Sequence, residues 1–427
     1  GIKTIRKSKR IVLMAWGNNK SSVVQKAIEG DVDSNISASY LQNHKNATFV
    51  LDRSASEDLT RVKSPWRTGS SKWDEELKAK AVAWLCEKTN KSILNLTESD
   101  YNENNLSELL MEKSYYDLNL DFYKRIHRSI TGWPGGKPDS DDKVRPERSK
   151  PAKKRVLIFS PHPDDDVISM GGTFDRLVSQ GHEVHVAYQT SGNIAVSNSD
   201  VLRYLEVINS TFPDCECEND ELIEILKNSS DIINNSRIRE IAATIREKES
   251  LAATRFIGIP DNQVHFLKLP FYETGTIKKN IPTIDDKKII SGIITKIKPH
   301  QIYAAGDLAD PHGTHKVCLD ILFDSLKDLK SKTFMKDCWV WLYRGAWHEW
   351  PIHEIDMAVP MSPFQVLRKR KAIFYHQTQK DNVMFQGDDN REFWVRTEDR
   401  NRAIAKKFRN IGMSDYTAIE TFKRYHF

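Results

Sequence analysis

The stretch PHPDDDVISMGG, residues 161–172, constrains the fold of this 427-residue chain more than any other. It follows the apolar run of residues 156–159 and precedes an amphipathic helical pattern. An apolar strand, a polar turn, paired glycines and a helix are together typical of the first half of a βαβ unit. The sequence therefore predicts that His162 and the aspartates after it lie at the carboxyl end of a strand, where open α/β sheets bind ligands.

A second polar cluster, DLADPHGTH at residues 307–315, also follows an apolar run, residues 302–305. We expect the two turns to meet and to share a divalent metal. His162 and Asp165 are three residues apart in one turn, and His315 is the candidate third ligand. Two histidines and a carboxylate suit Zn²⁺, which in catalytic sites has three protein ligands and a water, although another divalent metal is an alternative.

Two further side chains in these clusters suit acid–base chemistry at such a metal. Zinc lowers the pKa of its water to about 7, and a neighbouring carboxylate then serves as general base; Asp164 is the candidate. His312 is the candidate acid that stabilises the oxyanion and protonates a leaving amine. The alternative is that PHPDDD is only a Pro/Asp turn capping the next helix.

The chain from residue 155 to 427 alternates strand and helix patterns, which predicts an α/β domain with a mainly parallel sheet covered on both faces. The predicted strands are Val156–Ser160, Glu183–Thr190, Val264–Leu269, Gln301–Ala305 and Cys338–Tyr343. The predicted helices are Gly172–Gln180, Ser236–Ile257, Asp285–Lys298, Thr314–Leu329, Ser362–His376 and Thr397–Ile411. The polar residues 200–235 read as an insertion near the carboxyl edge of the sheet.

The chain before residue 155 has a different character. In residues 1–60, IVLMAW has the pattern of a buried strand and leads into the turn GNNK. Lys20 at the end of that turn, with a helix N-terminus, predicts an anion site; a solvated lysine is the alternative. Residues 61–133 form a helical connector, and the proline-rich, polar residues 134–154 form a linker.

Charge and cysteine usage exclude several classes of protein. The net charge is only +5, and there is no basic stripe, so nucleic acid is not an expected partner. The five cysteines contain no C-x-x-C pair, which favours a reduced, cytoplasmic protein. No apolar run approaches the length of a membrane helix. The start at Gly1 without a methionine leads us to expect a piece of a longer protein.

The two clusters resemble the PIG-L/LmbE family of zinc-dependent N-deacetylases, whose pattern is roughly H-P-D-D-E and later H-P-D-H. The resemblance covers about residues 155–380 and implies a Rossmann-like, mainly parallel sheet. It also implies zinc on His162, Asp165 and His315, Asp164 as base and His312 as acid. Asp166 replaces the usual Glu, and Thr314 replaces an Asp that commonly braces the neighbouring histidine.

Two later segments extend this resemblance. REKESLAA resembles the family's R-x-x-E helix, which implies that Arg246 reaches the substrate; a surface arginine paired with Glu249 or Glu247 is the alternative. KAIFYHQTQ resembles a late family segment, which implies that His376 lines the pocket; a packed helix histidine is the alternative.

Residues 1–30 and ASYLQNHKNATFVLD, residues 38–52, resemble the C-terminal portion of glucosamine-6-phosphate deaminases. That resemblance implies that Lys20 contacts a sugar phosphate. The family's catalytic Asp, His and Glu lie upstream of the matched part and have no counterpart here.

Together the two resemblances imply a metal-dependent N-deacetylase acting on a small-molecule amino sugar, with N-acetylglucosamine 6-phosphate as the specific candidate. The alternatives are a fragment of a glucosamine-6-phosphate deaminase and a non-catalytic sugar-phosphate binding module. The sequence leaves the oligomeric state open, with a homo-oligomer as one alternative.

Overall fold

The computed structural model forms two compact units. The first unit is Gly1–Lys124 with Asn410–Gly412, and the second is Arg125–Arg409 with Met413–Phe427. The residues that the structure describes are 1–17, 20–140, 148–212, 216–228, 235–274, 278–308, 313–345, 347–380, 389 and 391–427. The boundaries predicted after residues 60, 133 and 154 stay predictions, and the compact units divide elsewhere, near residue 124.

The first unit combines a two-stranded parallel sheet with short helices. Its elements are α1 (Ile2–Ile5), β1 (Ile11–Ala15), α2 (Ser21–Glu29), β2 (Ala47–Leu51), α3 (Thr60–Lys63), α4 (Glu75–Thr89), α5 (Glu98–Glu103), α6 (Ser107–Glu112) and α7 (Tyr115–Ser129), whose last residues belong to the second unit.

The strand predicted from IVLMAW exists, but the prediction that it is buried was wrong. Val12 and Met14 of β1 are 49% and 58% exposed, and Val50, the register partner of Met14 on β2, is 42% exposed. Successive side chains of a strand point to opposite faces, so these residues share one open face of the sheet. An apolar run predicts a strand; what covers each face depends on the rest of the fold.

The second unit holds a seven-stranded sheet among its described residues. Its strands are β3 (Arg155–Ser160), β4 (Glu183–Tyr188), β5 (Val264–Phe266), β6 (Gln301–Ala305), β7 (Trp339–Tyr343), β8 (Met357–Met361) and β9 (Ala418–Tyr425). Its helices are α8 (Asp165–Ser179), α9 (Asn198–Thr211), α10 (Glu216–Asn228), α11 (Ser236–Ile257), α12 (Ile284–Ile297), α13 (Thr314–Leu329), α14 (Pro363–Phe374), α15 (Gln377–Lys380) and α16 (Phe393–Asn410).

The strand order is β5-β4-β3-β6-β7-β9-β8, and the first five strands run parallel. The chain moves outward from β3 to β4 and β5, then returns to β3's other side with β6. The mainly parallel α/β prediction is therefore confirmed. Strand β9, which pairs antiparallel with both β7 and β8, and the edge strand β8 were not predicted.

Helix α8 begins at Asp165, seven residues before the predicted start at Gly172. Its backbone kinks at Met170 (φ −133°, ψ 24°), and the Gly172 N–H beyond the kink donates to Glu420 Oε1 at 3.0 Å. A Cβ at Gly172 would lie 2.1 Å from Met361 Sδ. Glycine at this position therefore permits close packing of α8 on the sheet.

The predicted insertion at residues 200–235 contains helices α9 and α10. Their apolar residues pack on α11 in a cluster that includes Val201, Leu205, Leu222 and Ile238. Helix α11 has the predicted bounds because Asn235 caps its N-terminus and Gly258, at φ +106°, ends it. Among the described residues, no helix is both long and apolar enough to cross a bilayer.

Candidate metal centre

The three predicted metal ligands converge at the carboxyl edge of the sheet. His162 and Asp165 follow β3, and His315 lies in the first turn of α13, after the neighbouring strand β6. Candidate ligand atoms of the three residues all lie within 4.8 Å of one another. His162 Nδ1 and His315 Nε2 each lie 3.1 Å from Asp165 Oδ2. The site lies at β3, where the strand order reverses, which is the ligand-binding position of open α/β sheets.

The hydrogen bonding of His315 fits a cation. Its Nδ1 lies 2.8 Å from the Asp307 carbonyl oxygen, which only accepts, so Nδ1 carries the hydrogen. In the neutral ring, Nε2 then directs a lone pair at the Asp165 carboxylate 3.1 Å away. A proton or a metal ion between them removes that repulsion. Two imidazoles, a carboxylate and an outer carbonyl holding one imidazole suit Zn²⁺ or a similar divalent ion.

The neighbouring residues Asp164 and Asp165 have pKa values that are shifted in opposite directions. Burial alone would raise the pKa of Asp165, but His315 and His162 outweigh burial and hold that pKa well below its ordinary value. Burial raises the pKa of Asp164 to about 7, although Arg246 opposes the shift. A carboxyl with a pKa near neutrality suits a general base better than an ordinary aspartate does.

Arg246 orients Asp164 and the turn that carries it. Its Nη2 donates to the Pro163 carbonyl oxygen at 2.9 Å and lies 3.3 Å from Asp164 Oδ2. Arg246 is 1% exposed, so the alternative of a surface arginine was wrong. Whether it also reaches a substrate stays a prediction.

Asp166 supports the turn from behind. Its N–H donates to Ser160 Oγ at 3.1 Å, and the Tyr188 hydroxyl donates to its Oδ2 at 3.0 Å. The Ser160 hydroxyl in turn donates to the His162 carbonyl oxygen at 2.6 Å. Burial raises the pKa of Asp166 to about 7. The shorter acid at this position is thus held in a polar layer beneath the three candidate ligands.

The remaining predicted residues have different environments. His376 is fully buried, neither ring nitrogen has a hydrogen-bond partner among the described residues, and burial lowers its pKa to about 3. It is therefore neutral near pH 7. Lys20 is exposed and belongs to the first unit, whereas the three ligands belong to the second. Its predicted role stays a prediction.

The predicted acid His312 lies outside the described residues. Thr314, two positions later, is buried and accepts a hydrogen bond from Lys279 Nζ at 2.5 Å. The Thr314 hydroxyl is therefore in direct contact with the Lys279 ammonium.

Sequence reasoning did not select two buried residues at this edge of the sheet. Asp307 holds His315 through its carbonyl, and its Oδ2 accepts from the N–H groups of Trp347 and His348 at 2.7 and 2.8 Å. Arg239 lies seven residues before Arg246, a spacing that puts both on one face of α11. The helical spacing was a signal for Arg239. Asp307 begins the second polar cluster, but the contact of its main-chain carbonyl with His315 does not depend on side-chain type and could not be predicted.

Comparison with known proteins identifies both parts of the chain. Residues 157–325 match the family model described as GlcNAc-PI de-N-acetylase, PIG-L. This range contains the three candidate ligands and supports an N-deacetylase domain.

Relatives in sequence extend the comparison to the N-terminal part of the chain. A glucosamine-6-phosphate deaminase-like protein of Bacteroides thetaiotaomicron is 48% identical over 438 residues, covering 100% of this chain and 66% of that protein. A glucosamine-6-phosphate deaminase of Listeria welshimeri is 46% identical over 59 residues, covering 14% of this chain and 25% of the deaminase. The chain thus spans just under two thirds of the first relative. The predicted two-part architecture is confirmed.

Among solved structures, the N,N'-diacetylchitobiose deacetylase from Pyrococcus horikoshii has a TM-score of 0.41 and 20% identity, covering 64% of this chain and 84% of that chain. The deacetylase Dbv21 for A40926 pseudoaglycone has a TM-score of 0.39 and 16% identity, covering 64% and 97%.

Proposed function

Because residues 157–325 match the GlcNAc-PI de-N-acetylase family, we propose that the second unit is a metal-dependent N-deacetylase of an N-acetyl amino sugar. The reaction adds water across the amide: the C–N bond breaks, acetate leaves, and the nitrogen leaves as an amine. The convergence of His162, Asp165 and His315 on one point is the observation that carries this proposal.

The residues beside the three ligands supply the proton transfer. Held by the ligands, Zn²⁺ would lower the pKa of a water from 15.7 to about 7 and polarise the acyl oxygen. Asp164 would take the proton of the attacking water, since its raised pKa lets it accept a proton near neutral pH. Arg246, 3.3 Å away, would keep the Asp164 carboxylate oriented between successive steps. We assign protonation of the departing amine to His312 on the family resemblance.

The neighbouring part of the chain supports a phosphorylated substrate. The name of the deaminase relatives gives their substrate as glucosamine 6-phosphate. Deacetylation of N-acetylglucosamine 6-phosphate produces that same compound. A deacetylase joined to a deaminase-like segment would therefore connect two consecutive reactions, and N-acetylglucosamine 6-phosphate is our candidate substrate.

The test is release of free amine from N-acetylglucosamine 6-phosphate and a panel of unphosphorylated N-acyl sugars. We expect release with zinc, loss after chelation and recovery when metal is restored. His162→Ala should abolish release and lower metal content measured by mass spectrometry. His353→Ala is the matched control, since His353 lies 3.8 Å from Glu354 and is not a member of the metal-ligand group.

Two outcomes would contradict the proposal. Metal-loaded protein that hydrolyses no amide in the panel would exclude the deacetylase. A His162→Ala protein that binds metal and sugar like the wild type would favour the non-catalytic binding module. Ammonia release from glucosamine 6-phosphate in the same assay tests the deaminase alternative.

A further inference from the structure

Arg239 is a buried cation, and none of the residues that the structure describes offers it a counterion. Its side chain lies on α11, the residue is 5% exposed, and its Nη2 donates to Asn193 Oδ1 at 3.3 Å. Its Nε and Nη1 have no hydrogen-bond partner among the described residues, and no described carboxylate lies within 4.0 Å. A guanidinium stays protonated at any physiological pH, so burial cannot neutralise it as it would a lysine.

The other buried arginines show how this chain ordinarily compensates such a charge. Arg246 lies 3.3 Å from Asp164, and Arg396 lies 3.8 Å from Asp389 and packs on the Phe393 ring at 4.8 Å. Arg239 is the one buried arginine of the described chain without a carboxylate. A buried charge without a partner costs stability unless a ligand pairs with it.

The position of Arg239 relates it to the metal centre. Arg239 and Arg246 lie on one face of α11, and Arg246 reaches the turn after β3. The contact of Arg239, Asn193, lies just beyond the carboxyl end of β4, the strand that pairs with β3. The unpaired donors of Arg239 therefore belong to the same edge of the sheet as the three metal ligands.

Tyr272 and Lys279 add polar groups at this edge. The Tyr272 hydroxyl is buried and has no partner among the described residues, and its ring centroid lies 6.3 Å from that of His162. Lys279 Nζ lies 5.7 Å from the Tyr272 ring. Burial raises the pKa of the Tyr272 hydroxyl, and Glu273 adds to that shift. Glu273 itself accepts from the Ser191 N–H and hydroxyl at 2.9 and 3.0 Å.

We infer that Arg239, with Tyr272 and Lys279, forms a subsite for a phosphate monoester on the amino-sugar substrate. This inference rests on the proposed deacetylase function. The Nε and Nη1 groups of Arg239 and the Tyr272 hydroxyl, which have no partner among the described residues, suit the terminal oxygens of a phosphate. The Lys279 ammonium, which donates to Thr314, adds positive charge beside them. In this subsite Arg239 selects the substrate and takes no part in the chemistry.

The kinetic test compares kcat/KM for N-acetylglucosamine 6-phosphate and for N-acetylglucosamine. In the wild type we expect the phosphorylated sugar to be preferred. Arg239→Met should lower the ratio of the two kcat/KM values about 10- to 100-fold, the loss expected for hydrogen bonds to a charged group. Arg237→Met is the matched control, because Arg237 is 61% exposed and lies 3.6 Å from Glu240 on the same helix. It should leave the ratio unchanged.

A binding test separates this inference from the deacetylase proposal. Thermal unfolding is measured with glucosamine 6-phosphate, glucosamine and inorganic phosphate, for the wild type, Arg239→Met and Arg239→Lys. We expect glucosamine 6-phosphate to stabilise the wild type more than glucosamine, and both variants to lose that difference while unfolding cooperatively without ligand.

Each result decides the inference. Equal kcat/KM for the two sugars, or a ratio unchanged by Arg239→Met, overturns the phosphate subsite and leaves the deacetylase standing. If no sugar is hydrolysed, the deacetylase fails, and the melting shift alone decides the subsite. Equal stabilisation by inorganic phosphate and by glucosamine 6-phosphate would overturn the assignment to a sugar phosphate.

Discussion

The two units place similar apolar strands in different surroundings. In the second unit, β6 is buried along its whole length, in the middle of a sheet covered on both faces. In the first unit, β1 is equally apolar in sequence, yet its alternate residues are exposed. A run of apolar residues therefore predicts a strand, while its burial depends on how many layers pack around the sheet.

The units also differ in how they hold charge. In the first unit, Asp100 pairs with Lys91 at 2.7 Å, and that lysine is 42% exposed. In the second unit, Lys369 and Glu420 are 2.8 Å apart and both are 1% exposed. The candidate metal centre and this buried ion pair thus lie in the same unit, since a larger core removes such groups from water.

The largest effect tests whether the chemistry belongs to the second unit alone. Asp164→Asn should lower kcat for deacetylation about 10²- to 10⁴-fold, the contribution typical of a general base. Steady-state kinetics on metal-loaded protein measures it. Val12→Thr in the first unit is the control and should leave kcat unchanged. A folded, metal-loaded Asp164→Asn protein with wild-type kcat would show that another group takes the proton.

The next effect compares core and open sheet faces directly. Ile158 of β3 is fully buried, so Ile158→Ala should lower the free energy of unfolding by about 2–5 kcal/mol. Val12, 49% exposed on β1, should lose no more than about 0.5 kcal/mol on Val12→Ala. Denaturant unfolding measures both. Similar losses at the two positions would mean that the exposed face of β1 is covered in solution.

The smallest effect uses pH to compare one carboxyl of each unit, Glu349 with a raised pKa and Asp100 with a lowered pKa. Burial raises the pKa of Glu349 from 4.5 to about 7, with Lys369 opposing the shift. The folded state therefore holds this proton more tightly than the unfolded state, so the wild type loses stability as pH rises through this window. Glu349→Gln removes the titration, and its stability relative to the wild type should increase by about 3 kcal/mol between pH 4.5 and 7.

Asp100→Asn provides the contrast, with the opposite sign. Burial alone would raise the pKa of Asp100, but hydrogen bonds from Lys91 and Thr97 outweigh burial and lower it. Its ion pair stabilises the wild type above the unfolded-state pKa and is lost as pH falls, so the cost of Asp100→Asn should shrink on acidification. Unfolding measured at several pH values gives both slopes. If the stability difference between Glu349→Gln and the wild type does not change with pH, the raised pKa of Glu349 is contradicted.

The prediction from sequence was best where local signals agree. Helix α11 was predicted with the observed bounds, since Asn235 and Gly258 mark its ends. The prediction was wrong for the start of α8. Paired glycines are uncommon inside helices, so the helix was expected to begin at Gly172. In the structure, Gly172 lies inside α8, where it contacts Glu420 and packs closely against Met361. Strand β9 was missed because it returns from far along the chain to pair antiparallel with β7.

For the candidate site, the sequence alone determined the identity of the three ligands' side chains and the strand–turn–helix units that carry them. The side-chain types of His162, Asp165 and His315 can be read directly from the sequence, and so can the spacing of their motifs. Only the tertiary structure decided that β3 and β6 are neighbours and that Arg246 is buried against Asp164. It also decided that Arg239 is buried with no carboxylate partner among the described residues. These features depend on which distant parts of the chain pack against each side chain and exclude water from it. Residue spacing along the sequence does not determine that packing.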